Sequence, residues 1–132
     1  MIAILDVNAA IEILLQKNNK DKFGKELRLA KWVIAPDLYI PEISNVLWKY
    51  HIAGALNHAD CIQTVEDGIG LIDDFIDSRD LWKESLSESI KNSHPVYDML
   101  YAVLARRNDG TLITNDRQLK KICKKLNIRC VS

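Results

Sequence analysis

The sequence predicts an α/β fold with a central parallel sheet that is covered by helices on both faces. Short apolar runs, long enough for buried strands, open the chain and recur up to its end. Segments in which apolar residues recur at helical spacing separate these runs. An alternation of short buried strands with helices is typical of parallel sheets that are covered on both faces.

Five short apolar runs are predicted to form the strands of this sheet, with the third interpreted as an edge strand. In chain order they are residues 2–5, 32–35, 81–82, 111–114 and 128–131. Ligands bind to such sheets at the carboxyl ends of the strands, where the strand order reverses. The residues that directly follow these runs are therefore the first candidates for a functional site.

Seven helices are predicted between the strands, and their apolar residues recur every three or four positions. In chain order they cover residues 8–15, a segment ending at 31, then 43–55, 58–78, the neighbourhood of 86–90, 96–107 and 115–126. Asn8 is expected to cap the first helix, and Gly110 to end the sixth. Trp48 and Ile52 lie on a second apolar side of helix 43–55, which indicates either a partner surface or a second layer of core.

Composition favours one domain over residues 1–132, because no repeat, low-complexity segment or Pro- or Gly-rich linker divides the chain. Eighteen Lys and Arg residues balance 18 Asp and Glu residues, so attraction to nucleic acid must come from a local basic surface. The chain shows no secretory pattern and no apolar run of about 18 residues, as a membrane span requires. Its three cysteines lack disulfide or zinc spacing. We therefore expect a cytoplasmic protein with free thiols.

Four acidic residues stand where this fold would bring them together. Asp6 follows the first strand and Asp116 follows strand 111–114, while Glu42 and Asp98 lie near the starts of their helices. Each alone has a simpler explanation, because the helix dipole favours a carboxylate at an N-terminus by about 0.3–1 kcal/mol. That explanation is weaker for Asp98, the one charge in an apolar segment, and for Asp6, because Asn8 is available as the cap.

Taken together, the four carboxylates predict a metal site. Converging carboxylates repel one another, and a cation between them relieves that repulsion. Mg²⁺ prefers oxygen ligands and keeps waters for a substrate phosphate. A metal in such a site can polarise a phosphoryl oxygen and lower the pKa of a bound water. This chemistry points to phosphodiester hydrolysis.

Four segments of the sequence resemble the PIN-domain family and, within it, the VapC-type toxins of type II toxin–antitoxin pairs. They are residues 2–8, 41–47, 97–104 and 112–119, in the family's order. The resemblance implies a PIN-like three-layer α/β/α sandwich and an endoribonuclease that depends on Mg²⁺ or Mn²⁺. Asp6, Glu42, Asp98 and Asp116 match the acidic quartet that holds the metal and positions the attacking water. Asn8, Thr114 and the more variable Asn115 match supporting positions.

The same resemblance implies partners for the protein: an RNA substrate, a second copy in a homodimer, and a small antitoxin whose tail enters the active-site groove. Basic residues near the acid-bearing segments are expected to contact RNA, and these are Lys49, Arg106, Arg107 and Arg117. The lysines at 120, 121, 124 and 125 are interpreted chiefly as a solvated helix face. No histidine shows metal-ligand spacing, so none is assigned to the site.

Other functions remain as alternatives. A haloacid-dehalogenase-type phosphatase needs a second Asp where this chain has Asn8, and a receiver domain needs its acceptor Asp after a middle strand and a Lys after a late one. A stand-alone RNA-processing nuclease would have the same site without an antitoxin. A non-catalytic interaction module would use the acidic pocket to bind arginines of a partner, although the presence of all four acids argues against it.

Overall fold

The five strands form one parallel sheet in the order β3-β2-β1-β4-β5. The computed structural model describes residues 1–132. Its strands are β1 (Ile2–Leu5), β2 (Trp32–Pro36), β3 (Asp74–Ile76), β4 (Thr111–Ile113) and β5 (Arg129–Val131). The chain proceeds from β1 to one edge of the sheet and then crosses back to complete the other edge. The strand order therefore reverses at β1, which is where a parallel sheet offers a binding crevice.

Seven helices flank the sheet and give the α/β/α architecture that the sequence predicts. They are α1 (Val7–Leu14), α2 (Lys20–Leu29), α3 (Tyr39–Ile52), α4 (His58–Gly70), α5 (Trp82–Asn92), α6 (Val96–Arg107) and α7 (Arg117–Lys125), with a 3₁₀ turn at Ser78–Asp80. Helix α6 packs against β1, β2 and β4, while α3 packs on α4 and α5 on α6. Not one of these helices combines the length and apolar character needed to cross a membrane.

The central strand β1 is buried because both of its edges and both of its faces are covered. Ile4 pairs with Ile34 of β2 on one side and with Leu112 of β4 on the other, and all three side chains are fully buried. The apolar run predicted at residues 2–5 is thus confirmed as the middle of the sheet. The pairing continues one step further, where Asp6 N–H donates to Ile113 O at 3.0 Å.

Helix α6 has the bounds predicted from the sequence, residues 96–107. Seven consecutive residues, from Met99 to Ala105, are buried, which accounts for the near absence of polar residues in the segment. Gly110 does not end the helix through a left-handed conformation, since Asp109 is the residue with positive φ, at 48°. A Cβ at Gly110 would lie 2.5 Å from Ile4 Cδ1 and 3.0 Å from Ile2 O. Glycine is needed there because α6 returns close to β1.

The predicted long helix over residues 58–78 is wrong, because α4 ends at Gly70. Asp73 then binds the backbone of Val33 twice, with its N–H donating to Val33 O and its carboxylate accepting from Val33 N–H, each at 2.8 Å. These bonds dock residues 74–76 onto β2 as edge strand β3. The edge strand predicted at residues 81–82 is also wrong, because Trp82 begins α5.

Several other helix bounds differ from the prediction by a few residues. Helix α2 covers Lys20–Leu29 and so ends before the predicted residue 31. Helix α3 covers Tyr39–Ile52 rather than 43–55. These differences leave Glu42 in the first turn of its helix, as predicted.

Gly68 allows α4 to approach α3 and α1 closely. A Cβ at this position would lie 2.3 Å from Ile43 Cδ1 and 3.1 Å from Leu14 Cδ1. The carbonyl of Gly68 also accepts a 2.7 Å hydrogen bond from the buried Tyr39 hydroxyl. Ile43 is fully buried and follows Glu42, so this contact supports the position of α3 next to the candidate site.

We expect Gly68→Ala to unfold more easily than Gly70→Ala in the same helix. Nothing lies within 4 Å of a Cβ at Gly70, whereas Gly68→Ala overpacks the core at Ile43, which costs about 1–3 kcal/mol. Urea denaturation of both variants, followed by circular dichroism, measures the difference in the free energy of unfolding. Equal stability of the two variants would show that the α3–α4 contact relaxes without cost.

Candidate active site

All four predicted acids line one pocket at the carboxyl end of the sheet. The pocket has a volume of about 490 Å³, and its lining includes Asp6, Glu42, Asp98 and Asp116. Asp6 and Asp116 follow the ends of β1 and β4. Glu42 and Asp98 lie in the first turns of α3 and α6. The structure therefore brings together side chains that are up to 110 positions apart in the chain.

Asp6 is the most buried of the four acids, with 6% of its surface exposed. Its Oδ1 accepts a hydrogen bond from Val7 N–H at 2.8 Å, and its Oδ2 accepts from Thr114 Oγ1 at 2.8 Å and from Asn8 Nδ2 at 3.2 Å. Burial, as the main cause, and the charges of Glu42 and Asp98 together raise the pKa of Asp6 to about 7, against the lowering effect of the bond from Thr114. The protein groups around Asp6 therefore do not fully stabilise its charged form.

The prediction that Asn8 caps α1 is wrong, because Asp6 is the N-cap. Strand β1 leads into α1 with only this residue between them, so one aspartate both ends the strand and starts the helix. Asn8 instead lies in the first turn, where its Oδ1 accepts hydrogen bonds from Asn115 N–H at 2.7 Å and from Thr114 Oγ1 at 3.3 Å. The supporting residues therefore join the ends of β1 and β4.

Glu12 is a pocket residue that the sequence interpretation missed. It is buried in α1, and its Oε1 accepts from Asn115 Nδ2 at 2.9 Å and from Asn19 Nδ2 at 3.4 Å. Its Oε2 is buried without a hydrogen-bond partner. A signal was present in the sequence, since Glu12 is the one charge within the apolar residues 9–15, and the same criterion had singled out Asp98.

Glu42 and Asp98 are each held by a neighbouring side chain. Glu42 Oε1 accepts a 2.7 Å hydrogen bond from the hydroxyl of Tyr101, and Asp98 Oδ2 lies 2.8 Å from Nε2 of His94. Burial raises the pKa of Glu42, the bond from Tyr101 offsets part of this rise, and the charge of Asp98 adds to it. Burial and the charges of Asp6 and Glu42 also raise the pKa of Tyr101, so its hydroxyl remains a proton donor.

His94 was not assigned to the site from the sequence, yet it contacts one of the four acids. Its ring precedes Asp98 by four residues, a spacing that places two side chains on the same side of the chain when it is helical. That spacing was the available signal.

Asp116 caps a helix, which is the simpler explanation for an acid at this position, and it also lines the pocket. It is the N-cap of α7, and its Oδ1 accepts hydrogen bonds from Gln118 N–H at 2.7 Å and Leu119 N–H at 3.2 Å. Its own N–H donates to Thr114 Oγ1 at 3.1 Å. These bonds leave Oδ2 without a protein partner at the edge of the pocket.

Only one of the four basic residues expected to contact RNA lines this pocket, and that residue is Lys49. Arg106 and Arg107 lie at the far end of α6, eight and nine positions after Asp98, or roughly 12–14 Å along the helix. Both form ion pairs with Glu84 at 2.7 Å. Both arginines therefore lie away from the pocket, and their expected contact with RNA stays a prediction. Arg117 lines a separate groove.

The donor set of the pocket fits a hard divalent cation, because it offers carboxylate and amide oxygens and carries raised pKa values that a cation would reverse. In the present side-chain arrangement, no group of three His, Cys, Asp or Glu side chains is positioned to hold a metal ion. The contacts from Tyr101 and His94 are one physical reason, since each occupies an oxygen of a candidate ligand. A cation would have to compete with them for those oxygens.

The PIN domain family model matches residues 3–125 of the chain. Ribonuclease VapC3 from Pyrobaculum aerophilum is 24% identical over 125 residues, which are 90% of this chain and 92% of that protein. The crystal structure of PAE2754 from Pyrobaculum aerophilum superposes with a TM-score of 0.72 at 20% identity, covering 91% of this chain and 78% of that chain. VapBC2 from Rickettsia felis, bound to a DNA fragment from its promoter, has a TM-score of 0.69 at 17% identity and covers 99% and 98% of the two chains.

We expect Asp6→Asn to change the pH dependence of stability in metal-free protein. The pKa of Asp6 is raised from 3.8 to about 7 in the folded state, so the folded state retains a proton that the unfolded chain releases. The stabilising effect of this proton is complete below pH 4 and is lost as the pH rises to 7. Between these values the stability of wild type falls relative to Asp6→Asn by up to about 1.4 kcal/mol per pH unit.

Urea denaturation of wild type and Asp6→Asn in EDTA, at several pH values between 4 and 8, measures this difference. Titrating groups that do not interact with Asp6 are common to both proteins and cancel in the comparison, while Glu42 and Asp98 titrate together with Asp6 and contribute to the measured difference. A difference that stays constant over this range would contradict the raised pKa of Asp6. Repeating the series with excess Mg²⁺ should reduce the slope, because a bound cation stabilises the charged carboxylate.

Proposed function

The chain belongs to the PIN domain family, and from that premise we propose that it is a metal-dependent endoribonuclease that hydrolyses RNA phosphodiester bonds. The observation that carries the proposal is the convergence of Asp6, Glu42, Asp98 and Asp116 in one pocket at the point where the strand order reverses. The 24% identity to a ribonuclease along nearly the whole of both chains supports it.

The four acids are the residues that would hold Mg²⁺, or Mn²⁺ in its place. When bound, such an ion polarises a phosphoryl oxygen and lowers the pKa of a water ligand. Thr114 and Asn8 orient Asp6 through hydrogen bonds to Oδ2. Asp116 is fixed by the start of α7, so two of the four carboxylates are positioned by backbone elements that do not need the metal to form.

Two cationic side chains also line the pocket and suit the charge of a substrate phosphate. They are Lys49 of α3 and Lys17, which donates a hydrogen bond to the hydroxyl of Tyr50. Tyr101 and His94 position Glu42 and Asp98 through the bonds described above. The pocket thus combines groups suited to a metal with groups suited to a phosphate.

We further propose that the protein is the toxin of a type II toxin–antitoxin pair. Its relative is named VapC3 and one similar solved structure is a VapBC2 complex. Trp48 and Ile52 are more than half exposed, so the second side of α3 is a surface and not a further layer of core. Trp48 and Ile62 line a largely apolar groove of about 600 Å³ between α3 and α4. We assign this groove to the antitoxin, because a concave site receives a helix or an extended segment.

Helix α5 supplies a second apolar surface, which we assign to a second copy in a homodimer. Its outer face carries Trp82, Leu86 and Ile90, all exposed, while the polar side chains of Ser85 and Glu88 are buried on its inner face. This is the reverse of an ordinary surface helix. A single ridge of residues spaced by four is suited to a two-fold interface, in which the same surface meets itself.

Cleavage of a mixed RNA pool tests the proposed activity. We expect cleavage with Mg²⁺, none with EDTA, and a loss of at least about 10²-fold in Asp98→Asn, as is typical when a positioned electrostatic group is removed. Asp21→Asn is the matched control, because Asp21 is an exposed carboxylate on α2 that does not line the pocket. Equal activity in Asp98→Asn and wild type would indicate a contaminating nuclease. No cleavage by folded, inhibitor-free protein would favour the interaction module.

Two matched tryptophan variants separate the proposed partner surfaces. We expect Trp82→Glu to be monomeric in light scattering, because a charge on the α5 ridge cannot be buried against its own copy without a large cost. Trp48→Glu should remain dimeric and lose binding to the protein encoded beside its gene, measured by co-purification. A monomeric wild type, or loss of the dimer in Trp48→Glu alone, would contradict the assignment.

A further inference from the structure

Helix α7 carries a concentration of positive charge that the catalytic pocket does not use. Five of its nine residues are cations, all of them exposed, and no acidic residue lies within the helix: they are Arg117, Lys120, Lys121, Lys124 and Lys125. None of the five forms an ion pair. Since the whole chain has a formal net charge of zero, this helix is a local basic surface in a neutral protein.

The helix dipole accounts for only part of this arrangement. It stabilises cations in the last turn of a helix, where Lys124 and Lys125 lie, but disfavours them in the first turn. Arg117 is the first residue of α7 and Lys120 follows within a turn. Pairing does not offset that cost, although the protein does pair exposed cations elsewhere, as Arg106 with Glu84 shows.

A groove lies between α7 and β5 and presents these cations along one wall. Its volume is about 710 Å³, and four cations line it: Arg117, Lys120, Lys121 and Lys124. From Arg117 to Lys124 the helix advances roughly 10 Å, with a cation at each turn. Asp116 directly precedes Arg117 and lines the acidic pocket. Two consecutive residues at the start of α7 therefore line the acidic pocket and the basic groove respectively.

We propose that this groove binds the phosphate backbone of single-stranded RNA on one side of the cleavage site. The inference rests on the proposed function and adds the path of the substrate. A positively charged groove that follows the backbone is a general means of holding a single strand. No aromatic residue lines the groove, so its contacts are with phosphates rather than with stacked bases, and they hold the strand without reading its sequence. The adjacency of Asp116 in the acidic pocket and Arg117 in the groove favours RNA over an acidic protein segment as the occupant.

Binding in EDTA tests the groove separately from cleavage. The probe is a fluorescein-labelled RNA of about 20 nucleotides, a length that spans more than one typical single-strand site, and anisotropy gives its Kd as a function of salt. We compare wild type with Lys120→Gln/Lys121→Gln/Lys124→Gln. The control Lys25→Gln/Lys31→Gln/Lys83→Gln removes the same charge from exposed, unpaired lysines outside the groove.

We expect the groove variant to bind about tenfold more weakly and its slope of log K against log salt to be shallower by roughly 2, or about 0.7 per lost contact. The control variant should bind as wild type does. Equal losses in both variants, or none in either, would overturn the proposal. Tighter binding of poly-glutamate than of RNA to wild type would also overturn it, and would assign the groove to an acidic protein.

A thiol footprint locates the strand directly. Cys130 lines the groove and is the only cysteine that is not buried, so its alkylation by iodoacetamide reports access to the groove. The RNA should slow this reaction in wild type, and an unchanged rate at saturating RNA would place the strand elsewhere.

Cleavage distinguishes failure of this inference from failure of the proposed function. If wild type is a nuclease, the groove variant should lose kcat/KM on the long RNA and retain it on an oligomer of about 4 nucleotides, which is at the short end of single-strand sites. Groove-dependent binding without cleavage would support RNA binding by the groove and argue against the nuclease activity. Cleavage of the long RNA at an unchanged rate by the groove variant would support the nuclease activity and contradict RNA binding by the groove.

Discussion

Burying a carboxylate among other carboxylates costs free energy, because the charges repel one another. Asp6, at the end of the central strand, is such a carboxylate. Its backbone continues the pairing of β1 with β4, and its side chain caps α1 and accepts a hydrogen bond from Thr114. The residue cannot move away from Glu42 and Asp98 without disrupting the middle of the sheet. The fold therefore holds a repulsive arrangement in place, and a metal-dependent function can use that repulsion to bind a cation.

Hydrogen-bonding neighbours hold Glu42 and Asp98 in position beside Asp6. Tyr101 binds Glu42, and His94 binds Asp98. Both contacts come from α6 or the residues just before it, and α6 is the helix most deeply packed on the sheet. The apolar packing of α6 thus supports the site in two ways: it carries Asp98 to the pocket, and it supplies the donor that constrains Glu42.

The sequence predicted the parts of the fold that depend on local pattern. Strand β1 and helix α6 are continuous apolar segments, so their burial follows from composition alone. Strand β3 was missed because it has three partly exposed residues, and its position depends on the bonds between Asp73 and Val33, forty positions away. The apolar residues that follow α4 continue its helical spacing, and this concealed the end of the helix at Gly70.

The residues of the candidate site also fall into two groups, those that the local sequence pattern indicates and those that depend on tertiary contacts. The four acids were found because each follows a strand or begins a helix, which a sequence displays. Glu12 and His94 each left a signal in the sequence, an isolated charge and a four-residue spacing to Asp98, but their place in the site follows from the side chains that they contact. Arg106 was expected to contact RNA because it lies near an acid-bearing segment, but residues eight apart on a helix lie more than two turns from each other. Its partner Glu84 belongs to a different helix, so the pairing required the tertiary structure.

The separation of charge between the acidic pocket and the basic groove has a consequence for the order of events. A neutral protein with one negative and one positive region orients a polyanion before contact, over a distance of about 10 Å at moderate salt. On the proposed function, the groove attracts the strand while the carboxylates of the pocket repel it. A divalent cation held by the four acids would offset part of that negative charge, so the strand would lie across both regions more readily with the cation in place. The arrangement of charge would then favour a loading sequence, metal first and RNA second, without any moving part.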